Sequence, residues 1–205
     1  MVIGNGLIAS VFSSYRDTND VCIFASGVSN SKCEDVLEFQ REITLLQTIP
    51  QNVKVIYFST ISVEYIDSPY TRHKLHMESE VLKNTESLVL RLPNLVGNSN
   101  NPNTLLNFLV SSIRRGVGFR VYDGVRRNLL DVEILPKIVY FLGGSTGVVS
   151  ISSLYSFTVE DVVIALEDIL GIKAKYEVVE TGECCYHLEL YNKKYLYDLL
   201  KKYFN

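Results

Sequence analysis

The sequence predicts an α/β fold, a doubly wound parallel sheet with helices on both faces. Three observations predict it. Short apolar runs rich in β-branched and aromatic residues, "VCIFAS" (Val21–Ser26), "VKVIYFS" (Val53–Ser59) and "SLVLRLPN" (Ser87–Asn94), read as strands buried on both faces. Helical spacing lies between them, with Val36, Phe39, Ile43 and Leu46 in the first gap and the stretch Tyr70–Leu82 in the second. Finally, the chain opens "MVIGNGLIASVF", a strand stub running into Gly4-Asn5-Gly6 and then an apolar helix, the layout of a phosphate-cradling turn. Strands that alternate with helices build a parallel sheet.

The second half is more mixed. The stretch "GNSNNPN" (Gly97–Asn103) is a loop seam. "LLNFLVSSIRRG" reads as a helix stopped by Gly116, whereas "FRVYDG", "GVVSISS" and "KYEVVE" read as strands. "TVEDVVIALEDILG" is a helix with Thr158 as cap and Gly171 as stop. The tail "LYNKKYLYDLLKKYF" puts Leu190, Leu196, Leu199, Leu200 and Tyr203 toward one side. A terminal helix docked on its own domain is expected there, with a basic membrane-surface helix as the alternative.

At 205 residues the chain is expected to form one domain with a real core. A net charge of −3 gives no general attraction for nucleic acid. No window approaches roughly eighteen uninterrupted apolar residues, so no membrane insertion is expected. The first basic residue is Arg16, so no secretory signal is expected either. The cysteines Cys22, Cys33, Cys184 and Cys185 form no C-x-x-C pair and read as free thiols of a reducing cytoplasm. His73, His76 and His187 show no metal-ligand spacing and read as packed or exposed histidines.

The stretch that carries chemistry is "VIYFSTISVEYIDSPYTRHK". A strand ends at Ser59-Thr60, and Ser68-Pro69 opens a helix. Tyr70 and Lys74 lie four apart and share one helix face. An ammonium beside a phenol favours phenolate, and the Thr60 hydroxyl can orient a carbonyl oxygen. Taken alone, Tyr-x-x-x-Lys also describes a helix with a packed tyrosine and a solvated lysine. The Ser-Thr strand end and the glycine turn are what favour the chemical reading, reduction of a ketone by hydride.

With these motifs the sequence resembles the extended short-chain dehydrogenase/reductase (NAD-dependent epimerase/dehydratase) family that acts on nucleotide-linked sugars. "GNGLIA" resembles its glycine motif, "DVCIFASGVS" its strand with an alanine-rich turn, "FSTISV" its catalytic Ser/Thr strand and "PYTRHK" its Tyr/Lys pair. "LRLPNLVG" resembles the segment whose Asn faces the substrate phosphates, and "RVYDGVRRNLLDVEIL" the one whose Arg reaches the diphosphate. The wording "RLPN" is most similar to capsule-synthesis 4-keto-sugar reductases.

The resemblance implies a Rossmann-like fold, with about residues 1–96 as nucleotide-binding core and about 97–205 mainly a small C-terminal substrate lobe with interleaved core elements. It implies Thr60, Tyr70 and Lys74 as catalytic residues. Gly4, Asn5, Gly6, Leu7, Ile8, Ala25, Ser26, Gly27, Ser59 and Lys74 become cofactor-binding candidates, and Asn94, Tyr122 and Arg127 substrate-binding ones. The cofactor is NAD(P), with NAD(H) and NADP(H) both open. The substrate is a nucleotide sugar in surface polysaccharide synthesis. A cytoplasmic homodimer is expected, joined through the helices Cys33–Thr48 and Tyr70–Leu82.

The chain departs from this pattern in its first third. The turn is G-x-G-x-x-A, tighter than G-x-x-G-x-x-G, although a small third residue still permits close packing. An acidic residue for the cofactor ribose belongs roughly twenty residues on. Here Asp17 and Asp20 precede the next strand, at its wrong end. A strand–helix–strand section is missing, which shortens the sheet on the adenosine-binding side. Arg16 is a candidate for a 2′-phosphate, but an exposed arginine is the plainer reading. Two alternatives therefore stand beside the redox enzyme: a relative that binds a sugar nucleotide without redox chemistry, and a cofactor-independent isomerase or epimerase.

Overall fold

A computed structural model describes residues 1–16, 20–180 and 190–205. In chain order the strands and helices are β1 (Val2–Ile3), α1 (Leu7–Ser10), β2 (Val21–Phe24), α2 (Val36–Gln47), β3 (Lys54–Thr60), α3 (Pro69–Val81), β4 (Leu88–Leu92), β5 (Asn94–Val96) and α4 (Leu105–Arg115). They continue as β6 (Phe119–Tyr122), β7 (Arg126–Asp131), α5 (Leu135–Leu142), β8 (Gly147–Ser150), β9 (Ser156–Thr158), α6 (Val159–Leu170), β10 (Tyr176–Val179) and α7 (Lys193–Phe204). They form two compact units, Met1–Pro93 with Val132–Ile151, and Asn94–Asp131 with Ser152–Asn205.

The first unit is built on a five-stranded sheet in the order β1-β2-β3-β4-β8, with every neighbouring pair parallel. Alternating side chains divide between its faces. Cys22, Phe24, Val55, Tyr57 and Val89 pack with Met77 and Val81 of α3, and with Ile43 and Leu46 of α2. Ile23, Ile56, Phe58, Leu88 and Leu90 are also buried. On that second face Phe12, just after α1, sets its ring 5.6 Å from that of Phe58. Each such burial contributes about 1.5–3 kcal/mol relative to exposure. The parallel sheet is thus packed on both faces, as the alternation of apolar runs predicts.

The shortening is visible in the strand order. Among the described residues β1 pairs only with β2, and no strand lies beyond it. A full dinucleotide fold binds its ligand where the strand order reverses. Here the order simply follows the chain.

α3 begins as its sequence dictates. Ser68 accepts from the Thr71 amide, Thr71 returns a bond to Ser68, and Pro69 occupies the first turn. The apolar helix expected after Gly6 is a single turn, α1, followed by a short 3-10 turn at Ser13–Tyr15. Ser13 and Ser14 there are poor helix extenders, because their hydroxyls compete for backbone partners.

The second unit holds a three-stranded sheet, β5-β7-β9, and the parallel pair β6–β10. Its core joins Leu106, Leu109 and Ile113 of α4, Val162, Val163 and Leu166 of α6, and Leu196 and Leu200 of α7. The basic tail is therefore a docked helix, fixed further by the Tyr195 hydroxyl donating to the Leu129 carbonyl at 3.1 Å. Thr158 caps α6 and Gly171 ends it in the left-handed conformation at φ +66°. Among the described residues no helix is long and apolar enough to cross a membrane. Cys22 is buried and Cys33 half-buried, both free, and Cys184, Cys185 and His187 lie outside the described residues.

Candidate active site

Parallel pairing brings the carboxyl ends of β1, β2 and β3 to one edge of the sheet. Ile3 is opposite Phe24, and Phe24 opposite Tyr57. The turn after β1 therefore meets the turn after β2. Gly4 has φ +125°, and a Cβ there would stand 2.4 Å from the Ala25 carbonyl oxygen. Only glycine satisfies both the dihedral and the contact. Gly6 has open space around it and precedes α1 as its cap residue. Asn5 and Gly6 are exposed, and Leu7 and Ile8 half-buried. Because α1 is one turn long, its dipole is small, so an anion at this turn would rely on the turn amides themselves.

Tyr70 and Lys74 sit one turn apart on α3, both buried. The Lys74 Nζ lies 5.9 Å from the centre of the Tyr70 ring. Its hydrogen bonds go elsewhere, to Glu42 Oε1 at 3.1 Å and to the Tyr57 hydroxyl at 2.9 Å. Glu42, from α2, is wholly buried and collects three further donors. The Val28 amide and the Tyr57 hydroxyl each donate at 2.7 Å, and His73 Nε2 lies 2.9 Å away. With Glu42 ionised and able only to accept, that ring nitrogen carries the proton. His73 stacks on Phe39, ring centres 4.3 Å apart.

The charges follow from this arrangement. Burial alone would raise the Glu42 carboxyl, but the bond from His73, the charge of Lys74 and the bonds from Val28 and Tyr57 outweigh it, holding the group down at about 2. Burial pulls the Lys74 pKa down, while the charge and hydrogen bond of Glu42 at 3.1 Å act in the opposite direction and favour its ammonium form. Tyr70 is pushed well up, first by burial and then by the charge of Glu42. The expectation that Lys74 lowers the Tyr70 pKa is thus corrected: burial and the charge of Glu42, a carboxylate that the helical spacing did not reveal, raise it. Tyr57 is also pushed up, by burial and by Glu42.

The other expected site residues are placed as follows. The Thr60 side chain accepts from the Ser62 amide at 3.2 Å and caps the 3-10 turn Ile61–Glu64, which leaves its hydroxyl proton to donate. Ser59 is turned into the core, where it donates to Glu78 Oε1 at 2.5 Å, and Arg91 binds the same carboxylate at 2.7 Å. Ser26 offers its carbonyl and hydroxyl oxygens to Arg41, at 3.1 and 3.2 Å. Ala25 and Gly27 flank it on the same turn, with Gly27 against Lys74 and Glu42. Asn94, Tyr122 and Arg127 belong to the second unit. There Asn94 and Arg127 lie on the paired strands β5 and β7, and Tyr122 is exposed at the end of β6.

Glu42 and Tyr57 are the residues that sequence reasoning missed, whereas His73, read as packed or exposed, is packed. A signal for one existed: Glu42 falls inside the apolar stripe Phe39, Ile43, Leu46, where a carboxylate needs buried partners.

No family model matches the sequence, and no curated protein matches it. Solved structures do. The enzyme WbmH of Bordetella bronchiseptica in complex with NAD+ matches at TM-score 0.71 and 15% identity, over 98% of this chain and 80% of that one. UDP-N-acetylglucosamine 4-epimerase of Methanobrevibacter ruminantium, in complex with UDP-N-acetylmuramic acid, matches at 0.66 and 18%, over 98% and 80%. dTDP-4-dehydrorhamnose reductase of Yersinia enterocolitica matches at 0.63 and 16%, over 96% and 95%. At such identities the likeness is one of fold. The chain has the Rossmann-like α/β fold of these enzymes, in agreement with the family that its motifs resemble.

Proposed function

We propose that this chain is an NAD(P)-dependent reductase or epimerase acting on a nucleotide-linked sugar, of the 4-keto kind, in surface polysaccharide synthesis. The observation that carries the reading is the succession Ser59-Thr60, Tyr70 and Lys74, on a strand end and the helix after it, in a fold shared with nucleotide-sugar enzymes. The glycine turn fits half of the cofactor. Gly4 lets the turn pack directly against the Ala25 carbonyl, and the exposed residues Asn5 and Gly6 are assigned to the phosphate oxygens through their backbone amides.

When bound, a nicotinamide supplies or accepts hydride at the sugar carbon. The chain's own residues do the rest. Tyr70 moves the proton at the sugar oxygen, and the Thr60 hydroxyl donates to that oxygen and orients it. Lys74, bonded to Glu42 and Tyr57, is assigned to a ribose hydroxyl of the cofactor. Asn94, Tyr122 and Arg127 are assigned to the nucleotide portion, Arg127 through the planar fork that suits a diphosphate. Turnover is tested by following oxidation of NADH or NADPH with 4-keto nucleotide sugars. Tyr70→Phe is expected to abolish it while keeping fold and ligand affinity, and normal activity in that variant would remove Tyr70 from the mechanism.

Two features favour a second reading, a sugar-nucleotide binder without redox chemistry. One is that no strand lies beyond β1 among the described residues, and the other is the commitment of Lys74 to Glu42. We also read the chain as a cytoplasmic homodimer joined through α2 and α3. Val36 and Leu37 of α2, 72% and 78% exposed, are apolar residues that such an interface would cover.

A further inference from the structure

Helix α5 turns two aromatic residues to water. Leu135 and Val139, one turn apart, are buried, whereas Tyr140 and Phe141 are 78% and 81% exposed. Ile134 and Lys137, both exposed, share their side of the helix. Phe141 is the most exposed large apolar residue among the described ones. The two rings meet edge to face, centres 5.9 Å apart, and form one knob. Beside them runs a groove of about 650 Å³, lined by Ser14, Tyr15, Pro136, Lys137 and the rings themselves. Tyr15 stands edge-on to Phe12, whose ring meets Phe58, so the groove is on the sheet face away from α2 and α3.

We propose that this patch is an isologous interface between two copies of the chain, in which Tyr140 and Phe141 of each copy enter the groove of the other. A partner of another kind needs only a groove to enter or a knob to hold. A patch that carries both, side by side, has the self-complementary form that a twofold axis requires. The area suffices. Aromatic side chains bury roughly 150–250 Å² each, so seating both rings removes about 300 Å² from a copy, and the receiving walls lose a similar area. The two copies together bury about 1,200 Å², within the range of specific interfaces. Lys137 is the single charged residue of the groove, and its stem can line the wall while the ammonium stays in water. Packing the rings therefore strands no charge. The argument uses neither the cofactor nor the sugar, and the interface is distinct from the pairing read for α2 and α3.

Light scattering on the whole protein tests this by mass, with circular dichroism as the check on folding. Phe141→Lys is expected to halve the mass: from four copies to two where the α2–α3 pairing also holds, and from two to one where it does not. Ser14→Arg, which fills the groove from the wall across from α5, is expected to do the same. A mass unmoved by either variant overturns the proposal. A monomeric wild type also overturns it and leaves the groove to a different chain. The sequence has no tryptophan, so Phe141→Trp supplies a single reporter. Its emission is expected at short wavelength when the ring is seated, moving to longer wavelength on dilution. Emission of a water-exposed indole at every concentration overturns the proposal, and this measurement decides alone if Phe141→Lys does not fold. Absence of NAD(P)H binding would count against the proposed function and leave these readings unchanged.

Discussion

Gly27 and Lys74 are packed so closely that a Cβ at residue 27 would stand 2.6 Å from the lysine Nζ and 2.9 Å from Glu42 Oε1. A lysine end normally yields to such a contact. This one is held by a carboxylate and a phenol, and Glu42 by four partners. Gly27→Ala is therefore expected to destabilise the protein by about 1–3 kcal/mol, the range for overpacking a filled site. Urea unfolding of the two proteins measures it, and an unchanged midpoint would mean that the turn moves freely over the pair.

The two glycines of the N-terminal turn differ in kind. Gly4 combines φ +125° with a contact of 2.4 Å to backbone, which cannot rotate away, so Gly4→Ala is expected to cost upward of about 2 kcal/mol. Gly6 has open space and φ −83°, so Gly6→Ala is expected to stay within about 1 kcal/mol. Thermal or urea unfolding of both variants checks the contrast.

Acid should unfold the protein partly through Glu42. Its carboxyl is held at about 2 in the folded state against an ordinary 4.5. A depressed folded pKa contributes stability that is full above the unfolded value and is lost as pH falls toward the folded one. The loss thus lies between about pH 4.5 and 2, and is on the order of 3 kcal/mol. Unfolding free energy followed across that window should show this component in the wild type and lack it in Glu42→Gln.

What was legible in the sequence was what local chemistry decides. The short β-branched and aromatic runs around Cys22, Ile56 and Leu90 favour interior strands, and Ser68-Pro69 favours a helix start. The docking of α7 followed from Leu196, Leu199 and Leu200 sharing one side. The partner of Lys74 was not legible, because Glu42 lies 32 positions away and only the packing of α2 against α3 brings them together. Strand β7 was also missed: "RRNLLD" shows no clean alternation, since Arg126 is held by Ser156 and Asn128 by the carbonyls of Ser153 and Tyr155. Long-range polar partners of this kind leave no periodic trace.

The most direct test of the functional account is a calorimetric titration of the protein with NADH and with NADPH, alone and beside a nucleotide sugar. The account predicts that at least one cofactor binds with a dissociation constant of about tens of micromolar or tighter. No heat from either cofactor at about millimolar concentration, with the nucleotide sugar still binding, would contradict it and leave the non-redox binder or a cofactor-independent isomerase or epimerase.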